Sequence, residues 1–275
     1  MKFSVFFPNL RGWVQHLDKV WPAYIVKPNF AYWEVLHILS LVMLGGAAII
    51  LGLRLIGVGL TEERPSVTWK NLKLWMNIGV GGVIVSGILI GMANAERLYD
   101  SAAFTVKMLS LLAGIILTYG AMRPIALAEG VVSKAALGWT IAGLAVWALG
   151  LFVFLTGGLI TPGLFHIVSA ASLIVLFVLR GRLRWIYAGG VAVIALMFWS
   201  ATHVFIPTDD LKHTDPVNVG LAWLLTAWIL GCALTQLYLN RKTEALSGLL
   251  PKLVGYAVIL VWICGAAAGR WIAFA

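Results

Sequence analysis

Three histidines set in apolar sequence carry the chemistry this chain could perform. His37 and His166 open two near-identical tetrapeptides, His-Ile-Leu-Ser and His-Ile-Val-Ser, and His203 closes a later apolar run. A neutral imidazole nitrogen ligates iron, copper or zinc. An ionisable side chain inside a membrane span is costly enough to call for a role. Two histidines from different helices could hold a b-type haem. His37 with His166 is one such pairing; His166 with His203, from adjacent spans, is the other. Haem also needs an apolar slot, small residues where the ring lies against a helix, and cations near its propionates. Gly45-Gly46-Ala47-Ala48, Gly81-Gly82, Gly87, Gly91 and Ala266-Ala267-Ala268-Gly269 supply small residues, and Arg270 and Lys107 supply cations. Plainer readings stand beside these. Glycine and alanine let membrane helices approach closely, and a membrane histidine can simply hydrogen-bond a neighbouring helix.

The elements that must position these groups follow from composition. The chain has 275 residues, 61% hydrophobic and only 11% charged, where a soluble domain is roughly a quarter charged. Eight apolar stretches meet the length needed to cross a bilayer, at roughly 32–56, 74–95, 102–122, 136–159, 163–180, 185–206, 217–239 and 253–273. The third is the weakest, because Lys107 lies near its start. The net charge of +9 belongs to loops that set orientation and meet anionic lipid, not to a nucleic-acid surface. Cys232 and Cys264 fall inside spans and read as small apolar residues. The first residues, Met-Lys-Phe-Ser-Val-Phe-Phe-Pro, do not read as a signal peptide.

Ahead of the first span, Leu10, Trp13, Val14, Leu17 and Trp21 recur at helical spacing. That pattern predicts an amphipathic helix in the interface, with tryptophans at headgroup level. Basic residues crowd the loops after spans one, three, five and seven, which predicts both termini on the non-cytoplasmic side of the membrane. All five histidines then collect on that face. Three ordered echoes (H-I-x-S, Gly81-Gly82-Val83 with Gly189-Gly190-Val191, and Val146-Trp147 with Val261-Trp262) point to a parallel duplication. The expected domains are 1–30, an interfacial segment, and two four-helix repeats, 31–160 and 161–275.

Other polar groups read more blandly. Glu96 is expected to pair with Arg97 or Lys107 at the interface, and Asp209, Asp210, His213 and Asp215 to form a solvated loop. Trp33, Trp69, Trp75, Trp139, Trp185 and Trp271 fit an aromatic belt, while Trp147, Trp199, Trp223, Trp228 and Trp262 lie deeper. No phosphate loop, HExxH, CxxCH or nucleophile elbow is present.

The first span, Trp33-x-x-Leu36-His37 running to Gly52-Leu53-Arg54-Leu55-Ile56-Gly57, resembles a family of uncharacterised bacterial four-helix inner-membrane proteins that opens on W-x-x-L-H. Gly269-Arg270-Trp271-Ile272-Ala273 is similar to that family's closing G-R-x-I-A segment. The resemblance implies a doubled version of a four-helix unit, departing at Gly52, where an acidic residue often stands. More distantly the arrangement is similar to cytochrome b561-type and copper-resistance D-type bundles, which implies a redox membrane subunit.

Together these readings predict an all-α integral membrane protein, with about eight transmembrane helices in two tandem four-helix bundles plus an N-terminal amphipathic interfacial helix. Its expected function is that of a b-type cytochrome subunit. Bis-histidine haem b would carry electrons between a periplasmic redox protein and the quinone pool. Its expected site residues are His37, His166, His203, Arg270 and Lys107. The runner-up is a cofactor-free anchor or assembly subunit of a larger complex. A copper or small-solute transporter is disfavoured, because no chain of acids or paired methionines crosses the membrane.

Overall fold

A computed structural model describes residues 2–156, 172, 175–176, 179–201, 216–241 and 246–272. Among them every regular element is helical. The long helices are α1 (Phe30–Ile56), α2 (Pro65–Ala93), α3 (Ala102–Ile115), α4 (Lys134–Thr156), α5 (Gly181–Ser200), α6 (Pro216–Arg241) and α7 (Leu246–Trp271). Six described segments are long and apolar enough to cross a membrane: Ala23–Ile56, Pro65–Ala93, Ala102–Leu127, Lys134–Phe154, Gly181–Ser200 and Gly248–Trp271. The chain is therefore a multi-pass membrane protein. α6 contributes a shorter apolar stretch, Gly220–Gln236. Most of the expected span 163–180 lies outside the described residues.

Local sequence explains the helix ends. Pro65 occupies the first turn of α2, where a missing N–H costs nothing. Gly57 ends α1 at φ +83°, and its N–H returns to the carbonyls of Leu53 and Arg54, a C-terminal stop that favours glycine. α3 runs into a π-helical stretch, Ile116–Met122, before Arg123–Leu127. Pro124 lacks the N–H that an α-helix would need there, and the wider winding is the form helices take at such insertions.

The chain forms two compact units, Met1–Gly157 with Leu250–Ala275, and Gly158–Leu249. The first is closely packed through its glycines. Gly79 and Gly82 of α2 lie against Ser40 and Leu44 of α1. Gly52 of α1 faces Gly255 of α7, and Gly114 of α3 takes the ring of Trp262 from α7. Gly120 and Gly143 seat Trp139 and Leu117 between the π stretch and α4. Such contacts substitute close backbone approach for a hydrophobic driving force that lipid does not provide. The core holds Leu44, Leu51, Met76, Leu117, Met122, Ile125 and Trp262. In the second unit, α5 and α6 pack around Tyr187, Ile194, Leu225 and Ile229. Trp228 donates its indole N–H to the Tyr187 carbonyl at 3.1 Å.

The N-terminal arm departs from the single amphipathic helix its periodicity predicts. It is a series of three- and four-residue helical turns, Phe3–Phe6, Pro8–Leu10, Arg11–Val14, Leu17–Lys19, Ala23–Val26 and Lys27–Asn29. Turns at His16 and Trp21-Pro22 break the winding, and proline removes a donor. The two-faced character survives: Val14 is buried, while Trp13 and Trp21 are 63% and 72% exposed. Of the tryptophans expected in an aromatic belt, Trp75, Trp139 and Trp185 are exposed. Trp69 is instead buried, edge-on to Tyr119 and under the Arg123 guanidinium.

Candidate functional site

His37 sits on the face of α1 turned to α2 and α3 and is 9% exposed. Its Nδ1 lies 2.9 Å from Ser86 Oγ on α2. The Ser86 hydroxyl donates to the Gly82 carbonyl one turn back. A hydroxyl has one hydrogen to give, so towards His37 Ser86 can only accept. Nδ1 therefore carries the ring proton and Nε2 the lone pair, an assignment drawn from the hydrogen-bond network. Lys107 Nζ of α3 meets that lone pair at 3.1 Å. A second ring proton would set two donors face to face, so the pair is a neutral imidazole accepting from a lysine. Gly87 makes room for the ring, since a Cβ there would stand 3.3 Å from His37 Cε1.

The pair borders a cavity of about 510 Å³, within the range of small-molecule sites. Its walls are otherwise apolar, with Leu41 from α1, Val83, Ile84 and Ile88 from α2, Leu111 from α3 and Trp262 from α7. No carboxylate lies within ion-pair distance of Lys107 among the described residues.

Residues 24–160 match the model of DUF6644, a family of unknown function. No curated protein and no solved structure matches the chain. The DUF6644 segment holds α1 to α4 and supplies His37, Ser86 and Lys107, whereas Trp262 and Gly265 close the cavity from outside it. An uncharacterised family is thus what the comparisons support, and they offer no link to a cytochrome.

Of the residues expected to carry the chemistry, His37 and Lys107 are brought together. Arg270 is exposed and is not part of the cavity wall. His166, His203 and His213 lie outside the described residues, as do Asp209, Asp210 and Asp215. Among the described residues no group of three or more His, Cys, Asp or Glu side chains could hold a metal ion. The expected pairing of Glu96 gives way to a 3.4 Å hydrogen bond from Gln15. Ser86 went unread in the sequence; the one signal was a hydroxyl within an apolar run, four residues after Gly82.

The arm closes one end of the cavity with Phe3, Val14 and Leu17. Its clasp is polar and exposed. Arg11 meets both Asp100 oxygens at 2.9 and 3.2 Å and stacks over Tyr99, whose hydroxyl donates to the Phe7 carbonyl. The Asp100 carboxyl is held below its ordinary value of 3.8 by a hydrogen bond from Ser4 and then by Arg11. Asp18 is lowered in the same way by Lys27, 2.6 Å away. A lowered carboxyl stabilises the docked arm above its ordinary value and loses that contribution as pH falls through the docked one. Protection of residues 9–19 against hydrogen exchange, corrected for the intrinsic slowing of exchange in acid, is therefore expected to fall below pH 3.8, and Arg11→Ala is expected to lower it at neutral pH. Unchanged exchange in both conditions would show that apolar contacts alone hold the arm.

Proposed function

We propose that this chain is an electron-transfer subunit of a membrane redox complex, linking a periplasmic redox protein to the quinone pool of a bacterial inner membrane. The observation that supports this most is the His37–Lys107 pair. An imidazole and a lysine are set together inside spanning segments, facing a cavity. No carboxylate is in ion-pair contact with the lysine among the described residues, and Glu34 acts on it only at longer range. Polar groups are costly at that depth and mark functional positions. Packing alone does not call for a Ser86-oriented imidazole whose lone pair is met by a lysine at the border of a cavity.

Haem b belongs to the same proposal and rests on the sequence. His37 suits iron through Nε2, but Lys107 stands at that atom, so His37 fits as a ligand only after the lysine withdraws. The pairing we favour is His166 with His203. When bound, the haem would supply one-electron chemistry, with its axial histidines and burial setting the potential. The tandem four-helix plan with eight spans, and periplasmic termini, complete the reading. The ordered echoes and the distribution of basic residues support them.

A reduced-minus-oxidised spectrum of the purified full chain tests the proposal. A b-type band is expected, lost in His166→Ala and in His203→Ala and retained in His37→Ala. A colourless protein from haem-supplied cells overturns the cytochrome reading in favour of a cofactor-free anchor. Loss of the band in His37→Ala would return that residue to the iron.

A further inference from the structure

The His37–Lys107 pair has a specific recognition chemistry. Nε2 offers one lone pair and no hydrogen, while the lysine beside it offers hydrogens and, when charged, no lone pair. A carboxylate or phosphate would meet Lys107 well but would turn its own lone pairs against Nε2. An alkyl chain would leave both groups unmet. A phenolic hydroxyl suits both once the flexible Lys107 side chain moves off Nε2, now 3.1 Å away: it can then donate to Nε2 and accept from Nζ, taking the place of their direct contact. A ring carbonyl suits the Lys107 donor alone.

The cavity adds shape to this polarity. Gly87 and Gly91 on α2 and Gly265 on α7 leave stretches of wall without side chains, as a flat ring requires. Ile84, Ile88 and Met108 line the cavity yet are 43%, 58% and 38% exposed. The cavity is thus bordered by side chains that also reach the lipid-facing surface of α2 and α3, and an apolar tail could leave between those helices into hydrocarbon.

We propose that the His37–Lys107 pair seats the head group of a lipid-tailed para-quinol and its quinone, with the tail in the bilayer. The proposal deepens the redox reading and rests on the cavity being a ligand site, without requiring haem in the protein. Lys107, turned from Nε2 to the ligand, holds the oxygen in both forms, His37 adds a bond in the quinol form, and Ser86 is a positioning residue that keeps Nε2 an acceptor.

The test uses the full chain in nanodiscs, with calorimetric titration of decyl-benzoquinol, decyl-benzoquinone, the dimethyl ether of the quinol, and decanoate. Quinol and quinone are expected to bind, with the ether and decanoate at least about tenfold weaker, the scale of one unmade buried hydrogen bond. Lys107→Met should bring both redox forms to the level of the ether. Ser86→Ala should weaken the quinol more than the quinone, with recovery in Ser86→Thr. An infrared shift of the bound quinone carbonyl, lost in Lys107→Met, gives a second readout. If the ether binds as well as the quinol in the unmodified protein, the head-group proposal is overturned and a plain apolar site remains. If decanoate binds best, the pair recognises acids. If none binds, the cavity is not a ligand site, and the haem spectrum decides independently whether the redox reading survives.

Discussion

Gly79→Ala is expected to disrupt the first unit more than any other one-methyl change in α2. A Cβ at this position would lie 2.6 Å from the Leu44 amide nitrogen and 2.8 Å from the Ser40 carbonyl oxygen. Both are backbone atoms of α1, so no rotamer change relieves the collision and the helices must separate. Overpacking costs about 1–3 kcal/mol where side chains can yield, and a helix shift places Gly79→Ala at or above the upper end. Separation would also move Ser40, one turn from His37, and so open the cavity wall. Gly81, two residues away, has nothing within 4 Å of its would-be Cβ. Gly81→Ala should be neutral, or stabilising by up to about 1 kcal/mol from helix propensity. Thermal unfolding in one detergent, read for both variants, makes the comparison. Equal midpoints would mean that α1 and α2 are not held by this glycine contact.

That contrast marks where the sequence stops being informative. Both glycines occur in Gly79-Val80-Gly81-Gly82, and nothing in the string says which one faces α1. Apolar runs and terminators are local signals, so helices α1, α2, α3, α4, α5 and α7 were legible, as was the exposure of Trp75, Trp139 and Trp185. Trp69 stands near a predicted span end, which by itself predicts a belt position. It is buried because Tyr119 and Arg123 reach it from a helix about fifty residues later. The arm was legible in its two faces and not in its winding, since His16 and Pro22 break a helix that the apolar spacing alone would continue.

The site divides in the same way. His37 was conspicuous as a polar residue in a spanning run, and Lys107 as the flaw in the third span. Their meeting joins positions 70 apart, and the serine that sets the tautomer is 49 from the histidine. Those separations carry no periodicity to read. Repetition of H-I-x-S drew attention to a second histidine as the partner of His37. Among the described residues the partners of His37 are a serine and a lysine inside the segment that matches DUF6644, and His166 lies outside those residues.

Trp262→Ala is expected to damage stability and the cavity together. The ring is 3% exposed, rests over Gly114 and donates its indole N–H to Thr118 Oγ1 at 3.1 Å. Thr118 belongs to the π stretch, and Trp262 also walls the cavity. In a soluble protein the loss of a buried tryptophan costs about 3–5 kcal/mol, part from transfer to water and part from the void left behind. In a bilayer the transfer part shrinks, because lipid is as apolar as the protein interior. The void remains, together with an unmet Thr118 hydroxyl. We therefore expect about 2–3 kcal/mol for Trp262→Ala on the void scale, and about 1 kcal/mol for Thr118→Val, which removes the acceptor but leaves the ring in place. The enlarged cavity should bind the quinol and its dimethyl ether with less discrimination, since a ring free to shift no longer holds its oxygen at Nε2. Denaturant midpoints and the binding ratio separate the two effects. A Trp262→Ala variant with full stability and unchanged discrimination would mean that α7 is not a wall of the site, and that the DUF6644 segment and the N-terminal arm form it without α7.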